Sequence, residues 1–213
     1  MTYAGEETGH SLTGHSWCWV VDPNDGTSDF LKGLKGSALS VGLLRDRIPI
    51  LDVVYAPVTL DGVPDCIAWA EGLRNVLRNG YPVTAKLCAK TLSSDTLVMV
   101  SSAAKYKPVI NRGLCAPSDF VAMPSIAYRL ARVAAGDGVC GISLWPVSAH
   151  DVAARHALLI GAGGVLLDEC GTPIEYVTEV NMHAVSQYYF GGSGPACQAL
   201  LKREWSLVFT EKQ

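Results

Sequence analysis

The chain has 213 residues, of which 49% are hydrophobic and 17% are charged, and its formal net charge is −3. These values predict a single globular domain over residues 1–213 and exclude a disordered chain. The small negative charge argues against binding to a nucleic-acid polymer, and no apolar run reaches the roughly 18 residues of a membrane-spanning helix. The seven cysteines form no C-x-x-C pair, which is typical of scattered thiols in a reducing compartment, so we expect a cytoplasmic protein.

The first half of the chain is dominated by strand patterns. Apolar and β-branched residues alternate over short runs that end at Gly, Pro or Asp, which predicts strands over 17–22, 38–44, 48–56 and 66–71. A short helix is predicted over 27–34. The segment Leu77-Arg78-Asn79-Gly80 predicts a hairpin, because Asn-Gly suits a type I′ turn.

The second half of the chain alternates between strand and helix patterns. Strands are predicted over 97–101, 138–144, 165–168 and 184–190. Helices are predicted over 125–135, 152–161 and 195–204. Strands followed by alternating helices and strands indicate layers of α and β structure.

The most informative segment is Trp-Val-Val-Asp-Pro-Asn-Asp-Gly-Thr, residues 19–27. Its apolar strand leads into a Pro/Gly turn that carries Asp22 and Asp25. Two carboxylates three residues apart at a strand end can hold hard cations, and the amides of Gly26 and Thr27 at a helix start can hold a phosphate. The combination indicates metal-assisted phosphoryl chemistry. The alternative is a turn in which Asn, Asp and Gly serve the backbone alone.

Two other segments contribute acidic residues. Glu6 and Glu7 lie in Ala-Gly-Glu-Glu-Thr, and Asp151 opens an apolar helix in Ser-Ala-His-Asp-Val-Ala-Ala. Taken alone, Asp151 also fits a capping box that begins at Ser148. In this order and spacing, the three segments resemble the inositol monophosphatase family, which combines Gly-Glu-Glu, Asp-Pro-x-Asp-Gly-Thr and Asp-x-Ala-Ala segments. The resemblance covers the chain from Gly5 onward.

The resemblance implies an α/β layered sandwich of the α-β-α-β-α type. Family members usually carry further helices before the Gly-Glu-Glu segment, and a following loop supplies an additional metal-binding acid. Here Glu6 follows Met1 almost at once. We therefore expect an N-terminally short domain that lacks those helices, either as a fragment or as a compact variant, and the missing acid argues against a third metal site.

The resemblance also implies roles for the acidic residues. Glu6 corresponds to a ligand of the first metal that also orients the attacking water, and the carbonyl of Asn24 would face the same metal. Asp22 would bridge two metals, while Asp25 and Asp151 would complete the second site. All-oxygen ligands favour two Mg²⁺ ions, with Mn²⁺ as a substitute.

The remaining site residues concern water, phosphate and substrate. By the same resemblance, Thr27 would pass the proton of the attacking water towards Glu6, and the amides of Gly26 and Thr27 would bind phosphate oxygens. His150 directly precedes the metal acid, where it would contact substrate or cover the helix end. His156 is expected to be a core residue whose polar atoms are satisfied by neighbours.

The expected function is a Mg²⁺-dependent phosphomonoesterase acting on a small phosphorylated metabolite. Inositol monophosphate is the default substrate, and the alternatives are a 3′(2′),5′-bisphosphate nucleotide, histidinol phosphate or a sugar phosphate. The resemblance also implies sensitivity to Li⁺ and a homodimer. A further alternative is that another chain supplies the missing helices, which an exposed apolar sheet face on Val41, Val53 and Tyr55 would support. A non-catalytic, partner-binding variant of the fold is the alternative of another class, and the complete set of acids argues against it.

Overall fold

The structure is a computed structural model that describes the backbone of residues 2–5, 9–11, 15–176 and 185–210. Side chains are described for residues 15–147, 152–176 and 185–210. The predicted site residues Glu6, His150 and Asp151 therefore have side chains outside the described part, although the backbone of the last two is described.

The larger sheet has eight strands. They are β1 (Thr2–Gly5), β2 (Gly9–Ser11), β3 (Trp17–Asp25), β4 (Ala38–Arg45), β5 (Ile48–Ala56), β6 (Asp65–Ala70), β7 (Leu77–Arg78) and β8 (Tyr81–Pro82). Their order is β2-β1-β3-β4-β5-β6-β7-β8, and β1 pairs in parallel with β3 while the other pairs are antiparallel. In the central strands buried residues alternate with more exposed ones, because successive side chains point to opposite faces of a sheet.

The smaller sheet has five strands and carries the second half of the fold. The strands of this half are β9 (Leu97–Ser101), β10 (Asp119–Met123), β11 (Cys140–Ser143), β12 (Val147–Ser148), β13 (Val165–Asp168), β14 (Val185–Ser186) and β15 (Tyr189–Gly192). The five-stranded order is β10-β9-β11-β15-β13, and β12 pairs separately with β14. β10, β9 and β11 run parallel, and β15 is antiparallel to both of its neighbours.

Helices separate and cover the sheets. They are α1 (Thr27–Phe30), α2 (Pro108–Cys115), α3 (Ile126–Ala134), α4 (Ala149–Ala162) and α5 (Gly194–Leu201), with 3₁₀ turns at Ser102–Tyr106 and Trp205–Val208. α3 and α4 pack between the two sheets, while α2 and α5 contact the smaller sheet. On β9, Met99 belongs to the core around α3 and α4, whereas Val98 and Val100 belong to the core around α2 and α5. The described layers thus alternate between β and α.

Helix α4 lies directly on the larger sheet. A Cβ atom at Gly42 of β4 would stand 2.3 Å from the Cβ atom of Ala154, so only glycine permits this approach. At the other end of α4, a Cβ atom at Gly161 would stand 2.4 Å from the indole of Trp69. Arg155, the residue after Ala154, lies against β3, where its guanidinium contacts Asp22.

The structure confirms several predicted elements and changes others. The strands over 48–56, 97–101 and 165–168 match their predicted bounds, and φ angles of 51° at Asn79 and 84° at Gly80 fit the predicted type I′ hairpin. The helix predicted over 27–34 is wrong in length, because it ends at Phe30 and a turn with positive φ at Gly33 follows.

The outer face of the larger sheet is apolar and partly exposed. Val41 and Val53 are half-buried there, and Tyr55 keeps 40% of its surface exposed. Within the described part of the chain, α3 and α4 cover the opposite face. None of the helices in that part combines the length and apolar character that a membrane crossing requires.

Candidate active site at the β3 turn

The end of β3 carries the acidic turn that the sequence predicts. Asp22 lies on the buried side of the strand, and its pairing with Ser40 is followed by a shift of register that aligns Asp25 with Ala38. The extra residue in this bulge redirects the chain at the strand end. Both carboxylates are consequently placed at one edge of the larger sheet.

Gly26 makes the turn from β3 into α1. Its φ angle of 91° lies in the left-handed region, which a residue with a Cβ atom adopts only with strain. The hydroxyl of Thr27 donates a hydrogen bond of 2.7 Å to the carbonyl of Asn24. This bond closes the turn, and it uses the only proton of the Thr27 hydroxyl.

The carboxylate of Asp22 is held on both oxygens. Its Oδ1 accepts from the backbone N–H of Asn24 at 3.1 Å, and its Oδ2 accepts from Nη2 of Arg155 at 2.6 Å. Burial raises the pKa of Asp22, the Arg155 cation lowers it, and the nearby Asp25 raises it again. The net effect raises the pKa of Asp22, so a cation bound nearby would stabilise the ionised carboxylate.

The carboxylate of Asp25 caps the central helix α3. Its Oδ2 accepts from the hydroxyl of Ser125 at 2.5 Å and from the backbone N–H of Ala127 at 2.6 Å. Ser125 in turn accepts from the backbone N–H of Tyr128 as the N-cap residue. Asp25 therefore ties the β3 turn to the helix that separates the two sheets.

A second buried acid lies behind the turn. Asp52 on β5 is fully buried, and its Oδ1 accepts a 3.1 Å hydrogen bond from the hydroxyl of Ser40. Burial raises the pKa of Asp52 to about 7, and the charge of Arg155 opposes this effect. Arg155 is therefore electrostatically coupled to both Asp22 and Asp52.

A pocket of about 420 Å³ opens beside the turn and reaches Gly26. Three basic side chains, Lys32, Lys105 and Arg129, line it together with Asp29, which lies 3.7 Å from the ammonium of Lys32. Arg129 is 4% exposed, and its guanidinium donates to the carbonyls of Ser125 and Ile142. Burial lowers the pKa of Arg129 to about 10, against the opposing charges of Asp25 and Asp29. The guanidinium stays protonated at neutral pH and makes this wall of the pocket positive.

The structure brings together part of the predicted site. Asp22, Asn24, Asp25, Gly26 and Thr27 share one turn. Asp151 lies in the first turn of α4, and Arg155 lies one helical turn further along the same helix. Glu6 lies outside the described residues. Among the side chains that are described, no group of three or more His, Cys, Asp or Glu residues forms a metal cluster.

The donor set of the turn fits a hard divalent cation. The two carboxylates and the Asn24 carbonyl are oxygen donors, which Mg²⁺ and Mn²⁺ prefer to nitrogen or sulfur. The raised pKa of Asp22 and its proximity to the Asp25 charge describe an acidic pair that a cation would stabilise. Among the described contacts, the hydrogen bonds to Asp25 engage only Oδ2, so Oδ1 is available as a metal ligand.

Sequence reasoning missed three residues of the site: Ser125, Arg129 and Arg155. The two arginines carry a detectable signal, because each lies among apolar residues of a predicted helix, and the structure leaves them 4% and 1% exposed. Arginine is almost never buried unless a partner satisfies it, so such a position predicts a specific anionic contact. No comparable signal marks Ser125, whose capping role is common in helices.

His156 has the structural role that the sequence predicts. Its Nδ1 lies 3.2 Å from the hydroxyl of Tyr176, and the two rings meet edge to face at 5.9 Å. Burial lowers the pKa of His156 to about 4, so the imidazole is neutral at neutral pH. His156 is thus partly buried rather than fully in the core, its ring nitrogen has a polar partner as the sequence predicts, and it has no part in the acidic turn.

Comparison with known proteins places these residues in a family context. The probable inositol 1-monophosphatase ImpA of Mycobacterium tuberculosis is 31% identical over 79% of this chain and 63% of its own length. The 3′(2′),5′-bisphosphate nucleotidase CysQ of Aggregatibacter actinomycetemcomitans is 25% identical over 74% of this chain and 58% of its own length. The chain thus spans less than two thirds of the length of these two relatives.

A solved structure and a family match agree with the sequence prediction. The IMPase of Thermotoga maritima matches 94% of this chain and 72% of its own chain, with a TM-score of 0.74 at 21% identity. This similarity confirms the layered α/β fold. The sequence model of the inositol monophosphatase family matches residues 2–198. Because this match covers most of the sequence, the chain belongs to the inositol monophosphatase family.

Proposed function

We propose that this chain is a Mg²⁺-dependent phosphatase of small phosphomonoesters. The observation that carries the proposal is the β3 turn, where Asp22 and Asp25 are each fixed by a different central helix. Two carboxylates held rigidly at one strand end are suited to bind cations that orient a phosphate. The family membership supports the same reaction class.

The metal ligands in this proposal are those that the family resemblance implies. Asp22, Asp25 and the Asn24 carbonyl would hold the ions together with Glu6 and Asp151. When bound, Mg²⁺ supplies Lewis-acid stabilisation of the phosphoryl oxygens, and Mn²⁺ is a substitute. Sensitivity to Li⁺ is part of the same proposal.

Thr27 and Glu6 are proposed to act on the attacking water. The Thr27 hydroxyl donates its proton to the Asn24 carbonyl at 2.7 Å, so its oxygen can accept a hydrogen bond from a water molecule. A water held in this way keeps its second proton for an acceptor, and the Glu6 carboxylate is the proposed acceptor. Thr27 thus orients the nucleophile, and Glu6 removes its proton.

The phosphate is proposed to lie at the start of α1. The amides of Gly26 and Thr27 would donate to its oxygens, and the Arg129 guanidinium lies in the wall of the adjoining pocket. Arg129 stabilises the added negative charge through space while its own hydrogen bonds fix its position. His150 is kept as a weaker proposed contact to the substrate.

Inositol monophosphate remains the default substrate, and a 3′(2′),5′-bisphosphate nucleotide is the second candidate. One observation favours the nucleotide: the pocket beside the turn combines the ammonium of Lys105 with the exposed rings of Tyr106 and Trp145. Ammonium groups suit a second phosphate, and exposed aromatic rings can stack on a base. Inositol monophosphate offers neither feature.

The deciding experiment is a phosphate-release assay over a panel of phosphomonoesters, with and without Mg²⁺. The panel contains inositol monophosphate, a 3′,5′-bisphosphate nucleotide, the matching 5′-monophosphate and histidinol phosphate. Lys105→Ala should raise KM for the bisphosphate and leave KM for inositol monophosphate unchanged, with the exposed Lys86→Ala as its control. Absence of Mg²⁺-dependent release from every substrate would contradict the proposed function and favour a non-catalytic, partner-binding role.

We also propose a cytoplasmic homodimer. The half-exposed apolar face at Val41, Val53 and Tyr55 supports association, because contiguous apolar surface favours a protein partner. Sedimentation velocity should give twice the monomer mass of 22.7 kDa. Tyr55→Asp should shift the distribution towards monomer, and a natural chain that sediments only as monomer would overturn the proposal.

A further inference from the structure

Arg155 lies deep beneath the proposed metal site. Only 1% of its surface is exposed, and its Nη2 donates to Oδ2 of Asp22 at 2.6 Å. The guanidinium reaches this position because Gly42 allows the preceding residue, Ala154, to press against β4. Arg155 is thus built into the interface between α4 and the larger sheet.

The same guanidinium also interacts with the charge of Asp52 on the neighbouring part of the sheet. Asp52 is fully buried, and within the described residues its Oδ2 forms no hydrogen bond. The attraction of Arg155 is the leading influence that favours the ionised form of Asp52. Among the described side chains, this buried cation therefore acts on Asp22, which belongs to the proposed metal site, and on Asp52, which does not.

We infer that Arg155 is a positioning residue that competes with the divalent cation for Asp22, and that Asp52 moderates this competition. The inference rests on the proposed function, because it concerns the same metal site. The guanidinium occupies Oδ2 and the Asn24 amide occupies Oδ1, so a cation that bridges through Asp22 must share or displace these donors. Asp52 weakens the repulsion, since its negative charge offsets part of the Arg155 charge.

The competition sets the affinity of the site for metal and not only the shape of the turn. Two cations that share one carboxylate repel each other, and at an effective dielectric constant of about 20 this changes a binding constant by about tenfold or more. Removal of the Arg155 charge should therefore tighten metal binding. Removal of the Asp52 charge should weaken it, because less of the guanidinium charge that acts on Asp22 is then offset.

The test is direct binding of Mn²⁺ in the absence of substrate, measured at pH 8 by the electron paramagnetic resonance signal of free Mn²⁺. Arg155→Met should lower the Kd for Mn²⁺ by about tenfold or more. Asp52→Asn should raise the Kd several-fold. Arg132→Met is the matched control, since Arg132 of α3 is a partly buried arginine paired with Asp137, and the Kd of this variant should equal that of the natural chain.

Opposite signs for the two variants would separate a charge effect from loss of structure, because a merely structural role would weaken binding in both. Equal Kd values for the natural chain and Arg155→Met would overturn the inference and leave the proposed function standing. If Arg155→Met binds Mn²⁺ and the natural chain does not, the result would support the inference and contradict metal use by the natural chain. If neither protein binds Mn²⁺, the result would overturn both the inference and the proposed function. If Arg155→Met fails to fold by circular dichroism, an unchanged or lowered Kd in Asp52→Asn overturns the inference.

Discussion

Asp25 and Ser125 are separated by 100 residues in the chain, and their side chains are joined by a hydrogen bond of 2.5 Å. The same Asp25 oxygen accepts from the backbone N–H of Ala127, so a proposed metal ligand also caps α3. This arrangement fixes the carboxylate before any ligand arrives. It also means that a substitution at Asp25 changes the helix cap and the proposed metal site together.

Ser125→Ala is expected to separate these two roles. The hydroxyl accepts from the backbone N–H of Tyr128 and donates to Asp25, so its loss should lower the free energy of unfolding by about 1–2 kcal/mol. The Asp25 carboxylate remains and keeps the Ala127 amide, so turnover should fall less than tenfold. Urea unfolding and phosphate release on the same sample measure both quantities.

Asp25→Asn is the complementary variant. Its amide oxygen can still accept from Ser125 and Ala127, so stability should change by less than in Ser125→Ala, while Mg²⁺-dependent turnover should disappear with the lost charge. Full turnover in Asp25→Asn would remove this residue from the metal site and leave it only as a helix cap.

Asp22→Asn should abolish Mg²⁺-dependent phosphate release and also destabilise the fold. The second effect follows from the structure, because the substitution removes the charged partner of the buried Arg155. Breaking one side of a buried ion pair costs about 3 kcal/mol or more. A double-mutant cycle with Arg155→Met measures the pair by urea unfolding, and stability in the double variant should partly recover. Unchanged stability in Asp22→Asn would contradict a strong buried pair.

The sequence predicts the acidic turn because its signal is local. Asp22, Asn24, Asp25 and Gly26 lie within five residues, and a strand end followed by Gly is a pattern that does not depend on the rest of the fold. The partner of Asp22 is 133 residues away, and no periodic pattern connects Arg155 to β3. Packing of α4 on Gly42 decides that contact, so only the structure shows it.

Elements were missed where local preference is weak. Helix α2 contains Gly113 and β-branched residues, which are poor helix formers, and it is stabilised by packing on β10 and by Pro108 at its first turn. Strand β10 lies between a turn and Pro124, and its pairing with β9 comes from the tertiary fold. Longer alternating runs such as β5 can be predicted from the sequence pattern without knowledge of tertiary contacts.

Thr27→Ala tests the proposed contact with the attacking water. The variant loses the hydrogen bond to the Asn24 carbonyl on an exposed turn, so stability should fall by about 1 kcal/mol or less. If the hydroxyl orients the nucleophile, turnover should fall by about 10²-fold, towards the lower part of the range for general-base assistance. Metal affinity should change little, because no charge is lost. A lower melting temperature with unchanged turnover would leave Thr27 as a turn residue only.

The buried Asp52 and the partly buried His156 give the stability of the fold opposing dependences on pH. The pKa of Asp52 is raised to about 7 in the folded chain, so the folded state binds the proton more tightly and stability falls as pH rises from about 4 to 7. The pKa of His156 is lowered to about 4, so the unfolded state binds the proton more tightly and stability rises with pH between about 4 and 6.5. In the natural chain the two slopes largely cancel.

Asp52→Asn should expose the slope that His156 contributes. The variant cannot release a proton at position 52, so the difference in unfolding free energy, variant minus natural chain, should rise between pH 4.5 and 6.5 at up to about 1.4 kcal/mol per pH unit. His156→Gln should show the reverse slope over the same range, because Asp52 then acts alone. Urea unfolding at half-unit steps of pH measures both differences. Parallel curves for the natural chain and Asp52→Asn would mean that Asp52 is ionised throughout this range, with the Arg155 charge outweighing the effect of burial.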